Sequence, residues 1–215
     1  MKKVKVLSPQ VAAKIAAGEV VERPASVVKE LLENALDAGA TQISVETRGG
    51  GLELIRLTDD GSGIESEDVE TAFGRYATSK ISDVEDLDTI TTLGFRGEAL
   101  ASIAVVAQVD IITGVEEGTV GDALTLKEGI VVRHVPQARP HGTTITVKDL
   151  FRNVPARLKF LKSTATENSH IAEVVSQYAL AYPEIKFASN IDGRATLQTS
   201  GSGKLMDVVI AVYGL

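Results

Sequence analysis

Between Pro24 and Gly39 the sequence bounds a helix at both ends. Proline suits the first helical turn, and glycine suits the position just past the last one. Val27, Val28, Leu31, Leu32, Ala35 and Leu36 recur at three-to-four spacing, so a helix over 24–38 carries a stripe that must lie against another layer. Its other side holds Glu30, Glu33, Asn34 and Asp37 at i, i+3, i+4 and i+7, which puts them on one face. Such a face is ordinarily solvated, but a solvated face mixes Lys or Arg with its acids, and this stripe has none after Lys29. Three carboxylates and an amide also suit a hydrated Mg²⁺, which takes oxygen ligands and shares them with phosphates.

Further helical patterns fall at 9–17, 66–73, from about 98, 156–161, 167–181 and 204–213. Strand-like runs fall at 43–48, 52–58, 109–113, 123–127, 130–135, 143–147, 185–191 and 195–199. The first two strands flank Gly49-Gly50-Gly51 and read as a hairpin. This mixture predicts a sheet with helices on one face. Between 74 and 97 the periodicity dissolves, and a loop of that length in a compact domain is usually functional.

Composition excludes several classes. With 29 acidic against 22 basic residues the net charge is −7, so any nucleic-acid contact must be a local patch. Aromatic residues make up 4% with no Trp, which argues against a surface built on base stacking. Cysteine is absent, removing disulfides, thiolate metal sites and Cys nucleophiles. The first residues hold no apolar stretch of signal-peptide length, and the expectation is a cytoplasmic protein with no membrane association.

Other segments carry chemistry. Asp59-Asp60-Gly61-Ser62-Gly63 follows an apolar strand; it suits a tight turn, and also a bare backbone beside a carboxylate that accepts from an amino group. Gly94-Phe95-Arg96-Gly97-Glu98-Ala99-Leu100 puts glycines at a helix start, where backbone N–H groups can meet an anion. Thr78-Ser79-Lys80 supplies hydroxyls and an ammonium at the other end of the same loop. Arg152, Arg157, Lys159 and Lys162 form a basic run that is equally a solvated face or a phosphate-contacting patch. Gly201-Ser202-Gly203-Lys204 is no P-loop, because Gln198 and Leu205 stand where Gly and Ser or Thr are required. His134, His141 and His170 lack metal-ligand spacing.

In this order the segments resemble the GHKL ATPases and, within them, the MutL mismatch-repair family. The resemblance rests on Ile15 through Val21, Arg23-Pro24-Ala25, Glu33 through Ala40, Ala77 through Lys80, Gly94 through Ser102, and Arg152-Asn153-Val154-Pro155-Ala156-Arg157. It covers nearly the whole chain and is weakest over 114–139. It implies an α+β, two-layer Bergerat fold with a mixed, mainly antiparallel sheet and helices on one face.

It also implies ATP and Mg²⁺ as cofactors. Glu30 would be the general base, Asn34 the Mg²⁺ ligand, and Asp59 the adenine contact, with Gly61 and Gly63 giving the ring room and Thr143 supporting it. The segment 74–98 would be a lid, placing Thr78, Ser79, Lys80, Gly94, Phe95, Arg96, Gly97, Glu98, Ala99 and Leu100 near the nucleotide. Family members use ATP to form homodimers and to control contacts with DNA, MutS-like proteins and downstream repair factors. The region 15–21 lies where such domains order on dimerisation, and the basic run would face DNA.

Two departures stand out. Position 60 is Asp where many relatives have Asn. Relatives also continue past the position of Leu215 into a second, transducer domain whose Lys reaches the γ-phosphate. The expectation is therefore an ATP-binding domain over 1–200, the start of the second domain over 201–215, and weak hydrolysis by the 215 residues alone. The other readings are a non-hydrolysing nucleotide-binding scaffold and a different GHKL member such as a topoisomerase subunit.

Overall fold

The computed structural model describes residues 4–80, 92–94, 97–115 and 120–214. Helix α1 (Pro9–Val20) is opened by Ser8, whose hydroxyl accepts from the Val11 amide at 3.4 Å. Helix α2 (Pro24–Asp37) has Pro24 in its first turn and buries Val27, Val28, Leu31, Leu32 and Ala35, as its spacing predicts. Strands β1 (Gln42–Arg48) and β2 (Leu54–Asp59) form the expected antiparallel hairpin. The 3₁₀ turn Gly49–Gly51 takes Leu52 as its cap, so β2 starts later than the apolar run 52–58 suggests.

Helix α3 (Ala99–Val106) then leads into β3 (Gln108–Gly114), β4 (Val120–Lys127), β5 (Ile130–Ala138) and β6 (Gly142–Lys148). Helices α4 (Pro155–Leu158) and α5 (Thr164–Ala181), strands β7 (Lys186–Ile191) and β8 (Arg194–Gln198), and helix α6 (Leu205–Tyr213) follow. Ser163 opens α5 by accepting from the Thr166 amide at 3.3 Å, so the helix starts earlier than the apolar pattern from 167 indicates.

Two helix expectations shorten. The segment 66–73 is a turn ending in the 3₁₀ turn Thr71–Phe73, because Val69 is its one fully buried apolar anchor. The segment 156–161 contributes only the single turn of α4. Leu158 and Phe160 stay exposed there, leaving little burial to extend it.

The sheet has eight strands in the order β5-β4-β3-β6-β2-β1-β7-β8. Every neighbouring pair is antiparallel except β1 and β7. Register lines one face with apolar side chains: Val45 opposes Leu57, Leu57 opposes Ile145, Ile145 opposes Ile111, and Ile111 opposes Leu124. All five are buried, and α2, α3 and α5 contact the strands. The next residue along each strand points the other way, and there the ladder is polar: Glu46, Arg56, Thr146, Asp110 and Thr125. Arg56 pairs with Glu46 at 2.9 Å, and Lys148 with Asp110 at 2.9 Å. One sheet face is thus covered and the other polar, the expected two-layer α+β arrangement.

Candidate functional site

The polar face of α2 borders a cleft of about 1370 Å³. Its lining includes Glu30, Asn34 and Asp37 from α2, Asp59 and Thr143 from the adjoining ends of β2 and β6, and residues 97–100 at the start of α3. Thr78, Ser79, Lys80 and Gly94 complete it, while Ala16, Glu19 and Val20 of α1 form part of the rim. The structure therefore brings together most of the residues expected at a nucleotide site; Gly63 lines the cleft, whereas Gly61 and the basic run 152–162 do not. Phe95 and Arg96 lie outside the described residues, as does 81–91 of the expected lid.

Asp59 is buried at the end of a central strand. Its Oδ1 accepts from the Gly61 amide at 2.9 Å and from the Thr143 amide at 3.3 Å. Burial pushes its carboxyl above the ordinary range, although these two amides favour the charged form. Among the described residues Oδ2 accepts no bond, so the group keeps capacity for a donor in the cleft. Thr143 is fixed by Thr113, which faces it across the β3–β6 ladder with hydroxyls 2.9 Å apart. The Thr113 hydroxyl also accepts from the Ile64 amide at 2.9 Å, and so holds the turn that contains Gly63.

Gly63 lies at φ 73°, and a Cβ there would run into the Gly114 carbonyl. Gly61 faces Ala38 instead: a Cβ would come within 2.8 Å of the Ala38 methyl. Close approach of backbone and helix thus demands both glycines independently of any ligand. Asp60 points away from the cleft. It accepts from the Thr41 and Gln42 amides, each at 2.8 Å, and from the Thr41 hydroxyl at 2.6 Å, pinning the entry to β1.

The polar stripe of α2 divides in space. Glu33 turns toward α5, accepting from the Tyr178 hydroxyl at 2.6 Å and from Lys29 at 2.7 Å. Glu30 is partly buried at the cleft with Lys29 3.7 Å away. Burial, with the neighbouring Glu33, pushes its carboxyl up against the pull of Lys29 and Lys80. Asn34 Oδ1 accepts from Lys80 Nζ at 3.1 Å, and Asp37 accepts from the same ammonium at 2.6 Å. Asp37 further accepts from the amides of Leu93 at 2.9 Å and Gly94 at 3.1 Å. Burial alone would raise its carboxyl, but these donors together hold it below the ordinary value.

Asp37 therefore clasps both ends of the loop that sequence singled out. Gly97 helps close the same base: it lies at φ 60°, with the Ala77 backbone where a Cβ would be. Lys29, Thr113 and Leu93 are contributors that sequence reading missed. Thr113 meets Thr143 only through strand register, which no local motif encodes.

Arg157 is not an exposed cation; its guanidinium donates to the Gly18 carbonyl of α1. Arg152 is exposed 3.5 Å from Asp149, and Lys159 and Lys162 are exposed. No helix among the described residues is long and apolar enough to cross a membrane.

The profile of the family described as "Histidine kinase-, DNA gyrase B-, and HSP90-like ATPase" matches residues 22–150. The DNA mismatch repair protein MutL of Halothermothrix orenii is 51% identical over 214 residues, covering 100% of this chain and 33% of that protein. MutL of Shouchella clausii is 54% identical over 201 residues, 94% of this chain and 30% of that protein. Among solved structures, the Aquifex aeolicus MutL ATPase domain complexed with ADP superposes with a TM-score of 0.76. It is 34% identical and covers 91% of this chain and 70% of its own. The chain belongs to the MutL family of GHKL ATPases. It spans about a third of the length of the curated MutL relatives it matches. MutL membership accounts for the order of the motifs along the chain, and the structure brings Glu30, Asn34, Asp59, Thr78, Lys80 and Thr143 to the lining of one cleft.

Proposed function

We propose that the cleft binds ATP with Mg²⁺ and hydrolyses it, and that nucleotide controls the dimerisation and DNA contacts of a mismatch-repair protein. The observation that carries this reading is the shared lining. A buried carboxylate with a spare oxygen (Asp59), a partly buried carboxylate with a raised pKa (Glu30), a metal-type amide oxygen (Asn34) and a helix start (Glu98, Ala99, Leu100) border one cleft.

Asp59 accepts the adenine amino hydrogen, with Thr143 and the Gly61 and Gly63 turn shaping that end. The amides at the start of α3, with Gly94, Gly97, Thr78, Ser79 and Lys80, meet the phosphates; Phe95 and Arg96 belong to the same segment. Glu30 takes the proton of the attacking water, and its burial makes it a better base than an exposed glutamate. Asn34 fits a cation ligand, because its Oδ1 already accepts an ammonium in this structure. Among the described residues no three His, Cys, Asp or Glu side chains are grouped to hold a metal. A divalent ion at Asn34 would thus take its other oxygens from water and phosphate, as Mg²⁺ does, and would neutralise phosphate charge.

Beyond the cleft, residues 201–215 open a second, transducer domain, a reading supported by the exposed Leu205, Met206, Ile210 and Tyr213 of α6. The exposed Arg152, Lys159 and Lys162 contact DNA phosphates, whereas the bond of Arg157 to α1 marks it as internal. Dimerisation of two such chains, engagement of a MutS-like protein and downstream repair factors, and work in the bacterial cytoplasm or nucleoid complete the reading.

Calorimetric titration with Mg²⁺ and ATP tests binding, and Asp59→Asn should weaken it. Single-turnover hydrolysis of labelled ATP tests chemistry: Glu30→Ala should bind ATP and fail to turn it over. Unchanged turnover in Glu30→Ala would remove the general base, and no turnover in the unaltered protein would leave a nucleotide-binding scaffold.

A further inference from the structure

The Lys80 ammonium rests on two oxygens of α2, 3.1 Å from Asn34 Oδ1 and 2.6 Å from Asp37 Oδ2. The pair is well shielded, with side-chain exposures of 20% for Lys80 and 7% for Asp37. Gly94 closes over it, since a Cβ there would come within 3.2 Å of Lys80 Nζ. Asp37 does not depend on Lys80 for its position, because the Leu93 and Gly94 amides also hold it. A monovalent cation therefore occupies the oxygen that a divalent ion would use. Two cations cannot share one oxygen at this distance in a partly buried site, where their repulsion is poorly screened.

We propose that Lys80 is the resident counter-cation of the Asn34 and Asp37 oxygens, and that it excludes free divalent ions until nucleotide phosphates arrive. This rests on the reading of Asn34 as the metal ligand and adds an order of events to it. A bare divalent ion would have to expel the ammonium from both oxygens while bringing no anion of its own to receive it. Phosphates entering with the ion supply that anion, so Lys80 transfers from the α2 oxygens to phosphate while Asn34 is released to the metal. The site takes metal and nucleotide together and stays closed to metal alone.

The test uses Mn²⁺ as the probe, with free Mn²⁺ read by its paramagnetic resonance signal in the absence of nucleotide. The unaltered chain should bind Mn²⁺ only weakly at this site. Lys80→Met should bind it at least about tenfold more tightly, since the repelling charge is gone. Lys80→Gln, which keeps a donor for Asp37 but no charge, should behave in the same way, and guards against a folding defect in the first variant. Adding Asn34→Ala to either should remove the gain. Equal Mn²⁺ affinity in the unaltered chain and both variants would overturn the proposal. The underlying reading fails separately: it is wrong if Asn34→Ala leaves ATP-dependent Mn²⁺ binding intact.

Discussion

The Tyr178 hydroxyl donates to Glu33 Oε1 at 2.6 Å, joining α5 to α2 one turn beyond Glu30. Lys29 bonds the same Oε1 at 2.7 Å and stands 3.7 Å from Glu30, so the tie to α5 also fixes the cation beside the proposed base. In sequence Glu33 is one carboxylate of a polar stripe; in the structure its bonds go to Tyr178 of α5 and to Lys29. Tyr178→Phe removes one donor from a buried carboxylate and should cost about 1–3 kcal/mol of stability. Urea denaturation at neutral pH measures this. ATP affinity should change little, because Tyr178 does not line the cleft.

Local signals and non-local ones divide what the sequence reveals. The helix over 24–38 was legible because proline, glycine and a stripe of apolar residues all agree within one segment. The convergence of Asp59, Asn34, Gly94 and residues 97–100 was legible only through the resemblance, since residues far apart in sequence line one cleft. The role of Asp37 was not legible: its partners are amides at 93 and 94 and an ammonium at 80, and backbone donors leave no mark on composition. Asp60 misleads in the opposite way. It sits beside Asp59 in a turn motif, yet alternation along the strand sends it to the β1 entry.

Burial raises the Glu30 carboxyl above its ordinary value of 4.5, with Glu33 adding to the shift against Lys29 and Lys80. A general base works only when ionised, so single-turnover hydrolysis should decline on acidification through a pKa above 4.5. The linkage has the opposite sign for stability. A carboxyl with a raised folded pKa disfavours the folded state once ionised, so Glu30→Gln should raise the melting temperature at neutral pH while removing turnover. A pH–rate profile paired with thermal melts checks both halves.

Arg157 and Gly18 form a contact that joins the basic segment to α1, whose Ala16, Glu19 and Val20 line the cleft. A methyl at position 18 would meet the Arg157 guanidinium, which would have to swing away. Gly18→Ala and Arg157→Ala should therefore share a phenotype: α1 loosens, with faster amide exchange over 9–20 and a loss of about 1–2 kcal/mol. Their effects on DNA differ from those of the exposed cations. Lys159→Glu and Arg152→Glu should each lessen the salt dependence of DNA binding by about one counterion, whereas Gly18→Ala should leave it unchanged.

Asp60 shows how a carboxylate next to the cleft serves the scaffold. Burial would raise its carboxyl, but the Thr41 hydroxyl and the Thr41 and Gln42 amides outweigh it and hold the group below the ordinary 3.8. A carboxyl with a depressed folded pKa contributes stability above its unfolded pKa and loses it as pH falls through the folded value. Asp60→Ala leaves two strand-entry amides without their acceptor and should cost about 1–2 kcal/mol near neutral pH. Asp60→Asn keeps an oxygen for both amides and can donate to the Thr41 hydroxyl, so it should cost less than Asp60→Ala. The stability gap between unaltered protein and either variant should narrow below pH 3.8. Urea midpoints measured from neutral pH into that acid range follow it, and a gap that stayed constant would show that Asp60 holds β1 without its charge.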